Sequence, residues 1–268
     1  MKRHSIRVIL AVLCLFPVFA CTHAPITGRT QLNLVSDSEM LSMSEGQYKK
    51  FMGENKLSTD AAGTAMVKRV GGRIQKAVET WFRQNNMSSE IANYAWEFNL
   101  VQSKEVNAWC MPGGKVVVYE GLLPVARDEQ GLAVVMGHEI AHAVAHHGSE
   151  RMSQSLLVQM GGMALGAALR EKPQQTQALW MSAYGVGANL GALLPYSRLH
   201  ESEADRLGLI FMAMAGYDPR SAVDFWKRMA AGKKGAAPPQ FLSTHPSDET
   251  RIRQIEEHMP EALSYYKP

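Results

Sequence analysis

Two histidines and a glutamate with the spacing H-E-x-x-H could bind a metal ion and use it to hydrolyse a bond. His138, Glu139 and His142 form this pattern inside residues 134–148, which read VVMGHEIAHAVAHHG. On a helix the two histidines lie one turn apart on the same face, so both imidazoles can reach one ion. Glu139 is placed to take a proton from a water molecule that the metal activates. The pattern therefore predicts a metal-dependent hydrolase.

The third metal ligand must come from another part of the chain, because a catalytic zinc ion usually has three protein ligands and one open position. Glu201 is the best candidate, since it lies four residues before Asp205 and shares a helix face with it. Glu201 would bind the metal, and Asp205 would accept the free N–H of a ligand histidine. His200 is a weaker competitor for the ligand position. Glu203 points away on this helix, which predicts a surface charge.

A buried helix is predicted to carry the H-E-x-x-H residues, because apolar residues surround them at helical spacing. Asp128 and Glu129 favour the start of this helix through the helix dipole, and Gly148 is its predicted end. His146 and His147 are predicted to lie at a solvated helix end rather than to bind the metal. The apolar residues at helical spacing are Leu132, Val135, Met136, Ile140, Ala143 and Val144.

Four ordered motifs resemble a known family of zinc metallopeptidases. HEIAH at 138–142 and ESEAD at 201–205 are similar to the two helical metal motifs of the family that includes the CAAX prenyl proteases, HtpX, BepA and LoiP. Residues 107–114, NAWCMPGG, resemble that family's N-A-F-x-x-P-G-G segment, with Trp and Cys in place of the commoner Phe and Ala. Thr244-His245-Pro246, followed by Arg251-Ile252, resembles its late T-H-P…R-I signature. The similarity covers residues from about 30 to about 260.

The resemblance implies a gluzincin-like zinc endopeptidase that acts on polypeptides. It implies one zinc ion per chain, held by His138, His142 and Glu201. It also places His245 near the active site, either as a fourth zinc ligand that keeps the enzyme latent or as a hydrogen-bond donor to the tetrahedral intermediate. A helix-start residue is the third interpretation of His245. Asn107 becomes a candidate substrate contact, with a strand-end cap as the alternative.

The predicted fold is α+β and mostly helical, with one small antiparallel or mixed sheet beside the H-E-x-x-H helix. Helical spacing and capping patterns predict helices at 36–52, 59–85, 218–231 and from 247 onwards. Alternating apolar residues predict a strand at 96–101. Two more strands are predicted at 105–110 and 115–119, with a turn at Pro112–Gly114 between them. A Gly/Pro-rich loop at 232–240 precedes His245. An exposed edge of such a sheet can pair with an extended peptide.

Residues 149–198 are predicted to form a hairpin of two helices rich in small residues, with residues 172–175 between them. Each apolar run has about 15 residues, which is short of the roughly 20 that span a bilayer. Three roles stay open for this hairpin: plain core packing, a lid or wall over the cleft, and a surface that dips into the membrane.

The first 20 residues have the features of a bacterial export signal. Three basic residues precede an apolar stretch from Val8 to Ala20 that is too short to span a bilayer comfortably. Cys21 follows Ala20 in a sequence similar to a lipobox, with cleavage by an ordinary signal peptidase as the alternative. We therefore expect a signal peptide at 1–20, a lipid-anchored tether at 21–35 and a metallopeptidase domain at 36–268. The expected location is the periplasmic face of the outer membrane.

Cysteine content and charge argue against several other classes of protein. Cys14 would leave with the signal and Cys21 would carry the lipid, so Cys110 would have no partner for a disulfide. Cys110 is predicted to be a strand residue in contact with the core rather than a nucleophile. The chain has 28 basic and 25 acidic residues, and no basic block stands out. This balance argues against nucleic-acid binding.

Together these features predict a zinc endopeptidase that acts on misfolded or unassembled proteins in the periplasm or outer membrane, as part of protein quality control. Zinc and Glu139 would activate the water that attacks a peptide carbonyl, and Glu139 would pass the proton to the leaving amine. Two other classes remain open. One is an outer-membrane assembly factor or chaperone with incidental peptidase activity. The other is a non-peptidase zinc hydrolase such as an amidase.

Overall fold

The computed structural model describes residues 21–25, 27–189, 193–232, 241–245 and 249–267. The described residues divide into two compact units, one within Met1–Met40 and Gly148–Tyr196 and the other within Leu41–His147 and Ser197–Pro268. The predicted signal at 1–20, residues 233–240 of the predicted loop, and Pro246 with the helix start at Ser247 lie outside the described residues. All the predicted metal ligands belong to the second unit.

The described fold is mostly helical with small sheets, as the sequence predicts. The α-helices are α1 (Asp37–Glu54), α2 (Ala61–Gln84), α3 (Leu123–Ala126), α4 (Glu129–Val144), α5 (His147–Ala168), α6 (Gln174–Ala188), α7 (Leu194–Met214), α8 (Ser221–Gly232), α9 (Phe241–Thr244) and α10 (Glu249–Tyr265). The strands are β1 (Cys21–His23), β2 (Thr30–Leu32), β3 (Glu97–Val101), β4 (Ala108–Met111) and β5 (Lys115–Tyr119).

The second unit contains a three-stranded mixed sheet in the order β3-β5-β4. Central strand β5 runs parallel to β3 and antiparallel to β4, so the prediction of a small mixed sheet is confirmed. All five residues of β5 are buried, which is typical of a central strand. Strand β4 is shorter than the predicted 105–110 and lies at the edge of this sheet. Gly113 and Gly114 form the turn before β5 with φ of 89° and 82°, a conformation that favours glycine.

Helix α4 carries the H-E-x-x-H residues and is buried along almost its whole length. Asp128 caps its start, because the Asp128 side chain accepts a hydrogen bond from the Gly131 N–H at 2.9 Å. The predicted end at Gly148 is wrong, since α4 ends at Val144. His146 has a left-handed φ of 59° that breaks the helix, and α5 begins at the next residue. Histidine is one of the residue types that occupy this region more often than most.

Helices α4 and α7 cross at a pair of glycines, which lets their backbones touch. A Cβ atom added to Gly137 would lie 2.9 Å from the Gly208 carbonyl oxygen. A Cβ atom added to Gly208 would lie 2.9 Å from the His138 nitrogen. Only glycine therefore fits this crossing without a backbone shift, and the crossing lies beside the first histidine of the H-E-x-x-H pattern.

The predicted helical hairpin is present in the first unit as α5 and α6. The helices approach each other where Tyr184 packs against Gly161 and donates a hydrogen bond to the Val158 carbonyl at 2.7 Å. Core packing does not explain α6, because none of its residues is buried. Among the described residues, no helix combines the length and hydropathy that a membrane span requires. Among the large apolar side chains of the hairpin, the most exposed are Met160, Met163, Leu179, Trp180 and Val186.

Candidate metal centre

The structure brings the three predicted ligands together at the contact between α4 and α7. The Nε2 atoms of His138 and His142 are 3.1 Å apart. Glu201 reaches both histidines, with Oε2 3.3 Å from His138 Nε2 and Oε1 3.2 Å from His142 Nε2. Each side chain comes from a helix face, which is why a spacing of four residues in the sequence predicts the arrangement.

The spacing of these atoms fits a zinc ion. Zinc bonds of about 2.0–2.1 Å in a tetrahedral site place neighbouring ligand atoms about 3.3 Å apart. The three distances among His138, His142 and Glu201 are 3.1–3.3 Å. Two imidazoles and one carboxylate are also a donor set that catalytic zinc uses. This group of side chains could therefore hold the metal.

His245 adds a fourth nitrogen to the same cluster. Its Nδ1 lies 3.0 Å from His138 Nε2 and 2.9 Å from Glu201 Oε2. All four potential ligand atoms, including this one, lie within 4.8 Å of one another. The Phe241 ring stacks on the His245 ring at 4.4 Å and holds it in place. The cluster therefore offers four potential ligand atoms, one more than the three of a usual catalytic zinc site.

Glu139 is buried next to the cluster without belonging to the ligand group. Its Oε1 lies 3.3 Å from His245 Nε2, on the other edge of that ring from the Nδ1 that faces the potential ligands. The Glu139 carboxylate is therefore close to the outer edge of the His245 ring, beside the potential ligands.

Asp205 supports His138 from behind, and Arg251 in turn supports Asp205. Asp205 Oδ1 lies 2.9 Å from His138 Nδ1, the nitrogen that faces away from His142. Arg251 donates two hydrogen bonds of 2.7 Å to the Asp205 carboxylate, and its guanidinium lies 3.4 Å above the Trp226 ring centre. The sequence reasoning assigned no role to Arg251. A signal for it exists, since Arg251 shares a buried stripe of α10 with Ile255 and therefore needs a partner for its charge.

Charge and burial act in opposite directions on the cluster. Burial and the Arg251 charge lower the pKa of His138, but Asp205 and hydrogen bonds more than offset them and raise it to about 9. Burial lowers the pKa of His142 well below its ordinary value. Burial raises the pKa of Asp205, yet the charges of Arg251 and His138 bring it below the usual range. Burial raises the pKa of Glu201, but hydrogen bonds from the histidines outweigh burial and lower it strongly.

His147 and Glu203 are buried beside the cluster, so both surface predictions are wrong. His147 is 0% exposed, and its Nδ1 lies 2.8 Å from His142 Nδ1. Glu203 is 7% exposed, with Oε2 3.1 Å from His147 Nε2. The break at His146 turns the chain back, which directs His147 towards α4 instead of solvent. His200, the weaker competitor for the ligand role, stacks on His147 at 4.4 Å and is not in the ligand group.

The two remaining predicted residues lie on the edge strand β4 or directly before it. Asn107 precedes β4, and its Oδ1 accepts a hydrogen bond of 3.0 Å from the Ala108 N–H, as a strand-end cap would. Cys110 lies on β4 and is half-buried. Burial, followed by the charge of Glu139, raises the pKa of the Cys110 thiol, which agrees with a packing role rather than a nucleophilic one.

Comparisons with known proteins give the chain a family context. Residues 68–259 match the pattern of peptidase family M48. The chain is 37% identical over 253 residues to the mitochondrial metalloendopeptidase OMA1 of Schizosaccharomyces pombe, covering 91% of this chain and 69% of that protein. It is 34% identical over 259 residues to the mitochondrial metalloendopeptidase OMA1 of Bos taurus, covering 93% of this chain and 48% of that protein.

A more distant relative is bacterial. The beta-barrel assembly-enhancing protease of Escherichia coli is 24% identical over 265 residues, covering 94% of this chain and 51% of that protein. The chain therefore spans about half the length of the bovine and Escherichia coli relatives.

These relatives correct the predicted location. The two more similar ones are mitochondrial by name, and the bacterial protease is less similar. The prediction of a lipid-anchored protein at the periplasmic face of the bacterial outer membrane is therefore wrong. The lipid on Cys21 is part of that prediction and is not supported by these relatives. The resemblance to a lipobox rests on only four residues, with a bulky Phe19 among them, and so carries little information.

Proposed function

The chain belongs to peptidase family M48 and is a zinc metalloendopeptidase, and from this premise we propose the roles of its residues. His138, His142 and Glu201 hold the catalytic zinc, and Glu139 is the general base. The observation that carries the proposal is the set of 3.1–3.3 Å distances among the three ligands, since they match the spacing around a tetrahedral zinc ion.

The buried carboxylates Glu139 and Asp205 have different roles in the proposed reaction. When bound, zinc supplies Lewis-acid chemistry, which makes water a better nucleophile and polarises the peptide carbonyl. Glu139 takes the proton of the attacking water and passes it to the leaving amine nitrogen. Asp205 accepts the Nδ1–H of His138, which leaves the Nε2 lone pair directed into the ligand cluster. Arg251 keeps Asp205 ionised and fixed for this task.

The edge strand supplies a docking place for an extended substrate. Strand β4 ends the mixed sheet and packs beside α4, the helix that carries Glu139. A polypeptide that adds to this edge by main-chain hydrogen bonds would be held extended next to the metal. Asn107 at the start of β4 would contact such a chain. Because a folded protein has few free extended segments, the proposed substrates are misfolded or unassembled polypeptides.

The first prediction tests the zinc-dependent activity on an unfolded protein. We expect the purified protein to contain about one zinc ion per chain, because three side chains form the site. It should cleave unfolded casein, lose that activity when a chelator removes the zinc, and recover it with equimolar zinc. Elemental analysis and gel electrophoresis measure these outcomes, and a stably folded protein serves as the control substrate. A zinc-free native protein that leaves casein intact would contradict the proposal, and cleavage of small amides alone would favour an amidase.

The second prediction concerns His245, which we propose is a latch. Its Nδ1 lies within 3.0 Å of both His138 and Glu201, where the open position of the zinc site would be. If only a minor fraction of molecules has His245 displaced, His245→Ala should raise kcat/KM by about tenfold, as expected when a competent state of about 10% becomes the whole population. The measurement is peptide cleavage at saturating zinc, with His258→Ala on α10 as the matched control.

A hydrogen-bond donor to the transition state would give the opposite result. In that role the loss of His245 should lower kcat by about 100-fold to 1,000-fold. Unchanged kinetics in His245→Ala would contradict both the latch and the donor and leave a helix-start residue.

A further inference from the structure

His142 differs from His138 in what supports it. The second ring nitrogen of His138 faces the Asp205 carboxylate directly, whereas that of His142 faces another histidine, His147. We propose that His147 and Glu203 are positioning residues that fix the ring and the tautomer of His142 for zinc binding. This inference rests on the proposed zinc site and deepens it.

The distances define one consistent chain of hydrogen bonds. His142 Nε2 faces the ligand cluster and must be unprotonated to bind zinc, so the ring carries its proton on Nδ1. That N–H donates to His147 Nδ1 at 2.8 Å, which requires the proton of neutral His147 to lie on Nε2. His147 Nε2–H then donates to Glu203 Oε2 at 3.1 Å. Each link determines the next, and the carboxylate at the end fixes the whole series.

The geometry of α7 explains why Asp205 contacts His138 directly, whereas Glu203 reaches His142 only through His147. Glu203 and Asp205 are two residues apart, so they leave the helix about 200° from each other. Asp205 is on the side that reaches His138, together with Glu201. Glu203 is on the other side, and His147 lies between it and His142. One helix thereby provides a carboxylate behind each of the two histidine ligands.

The local backbone is shaped to bring His147 to this place. Helix α4 ends at Val144, three residues before His147, and the left-handed φ of 59° at His146 folds the His147 ring back to the side of His142. His147 is completely buried, and the His200 ring stacks on it at 4.4 Å with an angle of 18° between the planes. A buried imidazole and a buried carboxylate are unfavourable unless their hydrogen bonds are made, and here His147 is within hydrogen-bond distance of both His142 and Glu203.

Three variants separate a positioning role from simple packing. His147→Leu removes the acceptor for His142 and replaces the ring with an apolar side chain of similar size. His147→Asn keeps an oxygen near the place of Nδ1, so it retains the acceptor. It loses the link to Glu203 and, like His147→Leu, the ring that stacks on His200. His146→Asn is the matched control, because asparagine tolerates the left-handed φ at that position.

The experiment measures the zinc dissociation constant of the full chain by competition with a chromophoric chelator, and the fold by circular dichroism. His147→Leu should raise the dissociation constant about 10-fold to 100-fold, the usual effect of losing a partner behind a metal ligand. His147→Asn should recover most of this loss, and His146→Asn should bind zinc like the wild type. Equal zinc affinity for His147→Leu and His147→Asn would indicate packing alone and overturn the proposal.

Two further results keep this test separate from that of the proposed function. If the wild-type chain itself binds no zinc, the proposed zinc site fails and the positioning proposal fails with it. If the wild type binds zinc and a folded His147→Leu binds within about twofold of it, only the positioning proposal is overturned. Should His147→Leu not fold, Glu203→Gln decides: we expect about a threefold weaker affinity, because the amide still accepts but carries no charge. An unaltered affinity in Glu203→Gln would overturn the proposal.

Discussion

Glu139→Gln is expected to abolish nearly all proteolysis while the zinc content and the fold stay unchanged. The glutamine amide has the size of the carboxylate but cannot accept a proton from water. General-base catalysis contributes about 100-fold to 10,000-fold, so kcat/KM should fall by that amount. Glu139 is not among the four side chains that could bind the metal, so zinc binding should survive. Peptide cleavage and elemental analysis on the same preparation measure both quantities.

Two observations decide whether Glu139 has this role. Glu257→Gln, on the exposed side of α10, makes the same chemical change away from the site and should have wild-type activity. Substantial casein cleavage by a zinc-loaded Glu139→Gln protein would refute the assignment of the general base. Loss of zinc together with activity would instead indicate that Glu139 helps to hold the metal.

Arg251→Met is expected to lower the free energy of unfolding of the zinc-free protein by about 3–5 kcal/mol, because it removes the guanidinium and its two charge-assisted hydrogen bonds from a buried carboxylate. Asp205 is buried and accepts both 2.7 Å hydrogen bonds from Arg251. The lowered pKa of Asp205 means that the carboxylate is ionised at neutral pH. Methionine has a similar length and keeps an apolar contact with Trp226, so the loss is mainly electrostatic. Urea denaturation in the presence of a chelator measures it.

The controls for Arg251 use the same helix and the same ion pair. Arg253→Met, an exposed position on α10, should change the free energy of unfolding by no more than about 0.5 kcal/mol. Asp205→Asn combined with Arg251→Met should recover part of the stability, because the carboxylate that lost its guanidinium partner is gone. A loss below about 1 kcal/mol in Arg251→Met would show that the pair is not a main source of stability.

Helical periodicity in the sequence predicts the centre of the site well. His138 and His142 are four residues apart on one helix, and Glu201 and Asp205 are four residues apart on another. In each pair the spacing alone places both side chains on one face. The partner helix follows from the chemistry, since zinc needs a third ligand and Asp205 matches the N–H of a histidine. The strands predicted at 96–101 and 115–119 likewise lie close to the observed β3 and β5.

The surrounding residues were not predictable from local patterns. Nothing at residues 145–146 resembles a helix stop, as there is no glycine or proline, so the break at His146 and the burial of His147 do not follow from the sequence. Glu203 lies on the side of α7 away from Glu201, and that side is buried only because His147 and His200 pack against it. Arg251 acts 46 residues beyond Asp205, and such a pairing depends on how the helices assemble.

Because the backbones of α4 and α7 touch at Gly137 and Gly208, a change in the angle between the helices would be a rotation about this contact. Glu201 lies seven residues before Gly208, about 10 Å along the helix axis at 1.5 Å per residue. Turning α7 by about 10° about this contact would move Glu201 by about 1.8 Å relative to the histidines, far more than the roughly 0.2 Å that metal bonds tolerate. The zinc affinity of the proposed site should therefore depend on the angle between the helices. Because such coupling is reciprocal, a bound ion would stabilise one interhelical angle, and a rotation of α7 away from it would weaken zinc binding.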